Sequence, residues 1–237
     1  HRGGLWNVSA LDPLLATIAD DAEHLEFAGF MGYEPHLTGV DGGLEHPAVV
    51  DVLRRYRAFI ERARGLDSKL DVNKLTLNGA GSHTLALYEH DRTMNDLSAG
   101  SGVVKPTDFD TAHLAANEPA LFIATPVLKR YDDMKVPGDP WAAKLMQLWD
   151  PNRERLYFIY GGYWKARYES PRGIPEPIYH STNQEPLSTS ASVDLAVDDY
   201  VFLRPTQSEH VMLQFGDLLV VDDGAIVERW PVFTQTG

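Results

Sequence analysis

The stretch Leu77-Asn-Gly-Ala-Gly-Ser-His-Thr84 decides how this chain is read. It follows a short apolar run, Leu75 to Leu77, and ends that run in glycines. The pattern predicts a buried strand that stops in a tight loop. Glycines there let backbone N–H groups come close to an anion. Ser82 and Thr84 add hydroxyl donors, and a following helix would add its positive end. Ligands of α/β folds gather at the carboxyl ends of strands, which is where this loop falls. Read alone, the loop also fits an ordinary βα turn, because short glycine motifs recur widely.

Upstream, helix and strand signals alternate. Leu11, Leu14, Leu15, Ile18, Ala22 and Leu25 fall on one helical face over residues 9 to 25, with Ser9 as N-cap. Phe27 to Met31 reads as a buried strand, and Thr38 to Glu45 as a polar loop. A helix is predicted from Pro47 to Arg64, with Val49, Val50, Leu53, Phe59, Ile60 and Ala63 on its apolar face and Gly65 as its stop. The rhythm predicts a parallel α/β arrangement. Asp96-Leu-Ser-Ala-Gly-Ser-Gly102 repeats the strand-to-small-residue signal, and barrel phosphate sites use the loops of two neighbouring strands. Met31-Gly-Tyr-Glu-Pro-His36 places Tyr33, Glu34 and His36 just past an apolar run. A Tyr hydroxyl can hydrogen-bond a ring nitrogen, and a His can act as acid or base near neutral pH. Each of these residues also fits a rim or solvated-loop role.

From about Pro119 the texture becomes β-rich, over residues 121 to 131, 155 to 168, 199 to 204 and 217 to 230. Turns are expected at Val136 to Pro140 and Asp222 to Gly224, and a short helix near Trp141 to Leu148. The expected division is an α/β domain over residues 1 to 112 and a β-rich domain over 113 to 237. In Arg204-Pro-Thr-Gln-Ser-Glu209, Gln207 and Glu209 would share a face of an extended strand. Oxygen ligands of that kind suit a hard cation, although a polar turn with a solvated carboxylate is the simpler reading.

Composition narrows the function. The 237 residues are 43% hydrophobic and 23% charged, carry a net charge of −13 and include no cysteine. The length suffices for a sizeable core. The lack of cysteine removes disulfide scaffolds, Cys-ligated zinc and thiol nucleophiles. The acidic balance argues against nucleic acid as a partner. No apolar run is long enough to span a bilayer and no signal-peptide pattern opens the sequence, so no membrane association and a cytoplasmic location are expected. No Walker A loop, HExxH motif or supported Ser-His-Asp set is visible.

Taken in order, HRGG (1–4), MGYEPH (31–36), LNGAGSHT (77–84), NDLSAGSG (95–102), YGGYW (160–164) and the segment 200–221 resemble the D-threonine aldolase/D-serine dehydratase group of pyridoxal-phosphate enzymes. The closing segment looks most like its D-serine deaminase members. The resemblance implies a partial (β/α) barrel of alanine-racemase type followed by a β-rich domain, and a homodimer. It implies Arg2 near the cofactor's phenolic oxygen, Tyr33 at the pyridine nitrogen and His36 near the substrate. It also implies that Gly79, Ala80, Gly81, Ser82, Gly100 and Ser101 hold the phosphate. The family's cofactor-linking lysine precedes the HRGG motif, and Lys69, Lys74 and Lys105 do not match its setting. The start at His1 is therefore expected to be a cut within a barrel motif, with the missing barrel segment or a separate chain completing the site. Many members hold a divalent metal with a His-x-Cys or His-x-Asp pair. Gln207 and Glu209 stand at the matching positions, and Gln is a poor zinc ligand. The implied activity is dehydration and deamination of a D-hydroxyamino acid such as D-serine. The alternatives are retro-aldol cleavage of a D-threonine-like substrate, or a catalytically incomplete subunit.

Overall fold

Five residues spaced four, three, four and three apart organise the first half. Val49, Leu53, Tyr56, Ile60 and Ala63 are all buried along helix α2 (Pro47–Leu66). This is the stripe that a 3.6-residue period makes on a core-facing helix. Pro47 opens the helix, and the His46 ring nitrogen Nδ1 accepts the Ala48 N–H at 3.2 Å. The predicted stop at Gly65 is corrected. The helix runs through it to Leu66, and the Asp67 N–H closes the last turn on Ala63 O. A glycine in a final turn costs about 1 kcal/mol, which the buried stripe outweighs.

The computed structural model describes residues 4–132, 150 and 153–232. The expected turn at 136 to 140 and the helix near Trp141 to Leu148 lie outside them. The chain clusters into two compact units, one of His1–Val103 with Thr111–Asn117, the other of Val104–Asp110 with Glu118–Gly237.

In the first unit α1 (Leu11–Asp20) follows a short 3-10 turn, Val8–Ala10. Asn7 caps that 3-10 turn, its Oδ1 accepting the Ala10 N–H at 2.9 Å, while the expected cap Ser9 lies within the turn and donates its hydroxyl to Asn7; α1 itself starts from Ala10 without a side-chain cap. The helix is shorter than the apolar pattern predicted, and of its described face only Leu11 is fully buried. Strands β1 (Gly29–Met31), β2 (Thr76–Gly79) and β3 (Asp96–Leu97) form a parallel sheet in the order β1-β2-β3. α2 is the crossover between β1 and β2, as the helix–strand rhythm implied. No α-helix follows β2. A four-residue 3-10 turn, Leu85–Tyr88, takes its place, so the positive helix end expected behind the glycine loop is absent there. Tyr56 ties the layers, its hydroxyl lying 2.7 Å from Asn78 O and 3.1 Å from Phe30 O.

The second unit is a five-stranded antiparallel sheet. Its strands are β4 (Ile123–Tyr131), β5 (Arg155–Tyr160), β6 (Ala166–Ser170), β7 (Gln184–Thr189) and β8 (Tyr200–Pro205), in the order β6-β8-β4-β5-β7. Ile123, Thr125 and Val127 alternate into its core on β4. β7 was not foreseen. Its Pro186 argues against an interior strand, and it is tolerated because β7 lies at a sheet edge. The buried Tyr157 hydroxyl donates to Val193 O at 2.8 Å and accepts the Leu195 N–H at 3.2 Å. Arg204 on β8 is buried and binds Lys105 O, Pro106 O and both carboxylate oxygens of Asp110, which fastens residues 104–110 to this unit. Strands β9 (Leu218–Asp222) and β10 (Ala225–Trp230) form a hairpin. Asp223 and Gly224 turn it with positive φ, as the Asp-Gly signal predicts. Among the described residues no helix is long and apolar enough to cross a membrane.

Two glycines test this account of the first unit. A Cβ on Gly29 would stand 1.9 Å from Thr76 O, at a φ of +143°. Gly65 has nothing within 4 Å. Gly29→Ala is expected to destabilise by roughly 3 kcal/mol or more, and Gly65→Ala to stabilise by about 0.5–1 kcal/mol. Urea unfolding of both variants checks this, and equal effects would contradict the β1–β2 register.

Candidate functional site

The parallel register places three loops at one end of one sheet. Met31 pairs with Asn78, and Asn78 with Asp96, so the chain leaves β1, β2 and β3 on the same side. These exits carry Gly32 to His36, Ala80 to Thr84 and Ser98 to Gly102. The first unit therefore brings together Tyr33, Gly79, Ala80, Gly81, Ser82, Gly100 and Ser101.

Ser82 joins two of the loops. Its hydroxyl donates to Ala99 O at 2.7 Å and accepts the Gly102 N–H at 2.9 Å. Asn78 adds a second tie, donating to Asp96 Oδ2 at 2.8 Å and to Ser98 Oγ at 3.0 Å. The Ser82 hydroxyl is thus engaged within the protein. The Thr84 hydroxyl is buried and faces Gly81 O at 3.4 Å. This corrects the expectation that these hydroxyls are donors for a ligand. Two backbone features shape these loops. Ala80 has φ +65° and Gly100 φ +52°, both left-handed backbone conformations.

Tyr33 is half exposed, and its ring lies on Gly81, where a Cβ would stand 2.5 Å from Tyr33 Cε2. Gly81 is therefore needed for the space it leaves to the ring. His36 lies on the 3-10 turn Pro35–Leu37 and is exposed.

Sequence reasoning placed Glu34 beside these residues without separating it from them. The structure does so, because its side chain is buried with only 4% exposed. Glu34 Oε2 has no hydrogen-bond partner among the described residues. Burial pushes the carboxyl above its ordinary range, against the opposing pull of its own N–H and that of Ala80. Tyr56 and Tyr88 are also pushed up, by burial first and then by the Glu34 charge. The signal in the sequence was a carboxylate directly after an apolar strand.

Two of the expected residue sets fall elsewhere. Arg2 lies outside the described residues. Gln207 and Glu209 belong to the second unit and are not on an extended strand, as had been expected. β8 ends at Pro205, Gln207 is the N-cap of the short helix α3 (Ser208–Met212), and Glu209 is in its first turn. They do not share a strand face, so that argument for a cation pair fails. Among the described residues no cluster of three or more His, Cys, Asp or Glu could hold a metal.

No protein-family model matches the chain, and no curated protein sequence matches it. Solved structures do. A D-threonine aldolase from Filomicrobium marinum is 18% identical and superposes with a TM-score of 0.68 over 98% of this chain and 59% of its own. D-threo-3-hydroxyaspartate dehydratase from Delftia sp. HT23 is 12% identical, with a TM-score of 0.62 over 100% of this chain and 64% of its own. An alanine-racemase-like protein from Idiomarina loihiensis is 12% identical, with a TM-score of 0.57, covering 98% and 61%. At these identities the likeness establishes the fold. The chain is a mixed α/β structure resembling part of alanine-racemase-like proteins, and it spans about 60% of the structures it matches.

The buried Glu34 makes a pH prediction. Its folded-state pKa lies above its ordinary value of 4.5, so the native state binds the proton more tightly than the unfolded state. Stability contributed by Glu34 is then present below that value and lost as pH rises through the folded-state pKa. Glu34→Gln is expected to lose this fall, matching the parent near pH 4 and exceeding it near pH 7. Urea midpoints at both pH values check this, and parallel pH profiles would contradict it.

Proposed function

We propose that this chain is the phosphate-holding portion of a pyridoxal-phosphate lyase acting on a D-hydroxyamino acid. The observation that carries the reading is the convergence of three loops at the carboxyl ends of β1, β2 and β3, with Tyr33 laid on Gly81 and Ser82 locking the second loop to the third. The likeness in fold to a D-threonine aldolase and a D-threo-3-hydroxyaspartate dehydratase supports it.

The residues present fit the phosphate end of such a cofactor. Left-handed backbone at Ala80 and Gly100, with small residues on both sides, is the arrangement that lets N–H groups converge on an anion. Gly79, Ala80, Gly81, Ser82, Gly100 and Ser101 would form the cradle. Tyr33 would sit toward the ring nitrogen, as a neutral partner that leaves that nitrogen without a full countercharge. When bound, pyridoxal phosphate supplies an electron sink for charge developing at the substrate's Cα. Within this chain His36, exposed at the rim, is the side chain proposed to move protons for the substrate, and Arg2 is proposed to face the cofactor's oxygen. The lysine that links the cofactor is proposed to come from a barrel segment or chain outside this sequence. The 59–64% coverage of the matched structures favours that reading. A homodimer is part of the same proposal.

Dehydration of a D-serine-type substrate is proposed over aldol cleavage, because Gln207 stands where the resembled family places a metal-binding His. The fold likeness to a D-threonine aldolase keeps retro-aldol cleavage as the second reading.

The test supplies pyridoxal phosphate and D-serine or D-threonine to the protein as it is produced, with any chain that co-purifies. Pyruvate from D-serine and 2-oxobutyrate from D-threonine are expected. Glycine from D-threonine without 2-oxobutyrate would overturn the dehydratase choice. Borohydride reduction followed by intact mass locates the lysine. A label on one specific lysine of this chain would overturn the shared-site reading.

A further inference from the structure

His113 stands in the first unit on the 3-10 turn Ala112–Leu114, where it meets the site loop after β2 and the chain that follows the site loop after β1. Its Nδ1 lies 2.5 Å from His83 O, on the loop after β2. Its Nε2 lies 2.8 Å from Val40 O, on the long loop after β1. Backbone carbonyl oxygens only accept hydrogen bonds, so each ring nitrogen needs a proton to bond the oxygen it faces. A neutral imidazole carries one such proton and can satisfy one carbonyl. With one proton missing, a bare nitrogen lone pair would face a carbonyl oxygen at hydrogen-bond distance, which is repulsive.

We propose that His113 works as a doubly protonated imidazolium that locks the β1 and β2 loops together, and so is a positioning residue for the anion cradle. The lock stands on the two contacts, while its effect on the cradle rests on the function proposed above.

The ionisable groups on the neighbouring segments are His83 on the β2 loop, Tyr88 on the turn Leu85–Tyr88, and Asp41 and Glu45 on the loop that carries Val40. Of these, His83 is disposed to stay neutral, by burial first and by the His113 charge second. With both nitrogens protonated the two loops are held at once, and a ring with one bare nitrogen holds only one of them.

The test has two arms. The first reads the ring itself, by two-bond ¹⁵N–¹H spectra of the full chain labelled at histidine, near pH 7 and without ligand. Both His113 nitrogens are expected at protonated positions, and one bare nitrogen would overturn the lock. The second titrates sulfate, whose charge is constant near neutral pH, into the parent and into His113→Phe at pH 7. The variant is expected to bind about threefold to tenfold more weakly, and amide exchange at residues 37–42 and 81–85 should accelerate in it. Equal sulfate affinities with unchanged exchange would overturn the positioning role. A doubly protonated ring in a protein that binds no sulfate would refute the cradle and leave the lock standing.

Discussion

The approach of β1 to β2 at Gly29 is the constraint from which the first unit follows. Any side chain at this position would run into Thr76 O. With none, Gly29 pairs with Thr76, and the register carries forward to Met31 beside Asn78. Asn78 then meets Asp96 across the next pair. A shift of one residue would turn every side chain of β1 to the other face of the sheet. It would also take Tyr33 off Gly81. The geometry of the three loops is thus set by a contact well outside them.

The interior of this unit is more polar than a parallel sheet requires. Tyr56 reaches from α2 to carbonyls on β1 and β2, while Glu34 and Tyr88 each bury an oxygen without a hydrogen-bond partner among the described residues. Such groups cost stability unless they are neutral or serve a purpose. Burial pushes the Glu34 carboxyl above its ordinary range, and its hold on the Ala80 N–H links the first loop to the left-handed turn of the second. Ser82 and Asn78 do the same between the second and third, and His113 adds a tie between the chain after β1 and the loop after β2. Small loops with little apolar surface are fixed here by polar ties, each of which removes freedom the loop would otherwise keep.

Much of the fold was legible because its elements obey strong periodicities. The α2 stripe, the alternation on β4 and the Asp-Gly hairpin each carry their own local signal. β7 did not, since Pro186 masks an edge strand whose partners on β5 lie 24 to 34 residues away in sequence. The order of MGYEPH, LNGAGSHT and NDLSAGSG was readable, and the parallel sheet does set them side by side. The internal use of the Ser82 hydroxyl was not readable, because its partners Ala99 and Gly102 come close only after β3 pairs with β2. Gln207 and Glu209 looked like strand neighbours. The chain instead turns helical at Ser208, which no i, i+2 argument detects.

The central claim is that the loops after β2 and β3 hold a phosphate through main-chain N–H groups. The direct measurement is calorimetric titration of the full chain with pyridoxamine 5′-phosphate and, separately, with pyridoxamine, neither of which can react with surface lysines. The account predicts that the phosphorylated compound binds at least about tenfold more tightly, a difference of about 1.4 kcal/mol. It also predicts that Gly100→Val removes most of that difference. Equal affinities for the two compounds would contradict it.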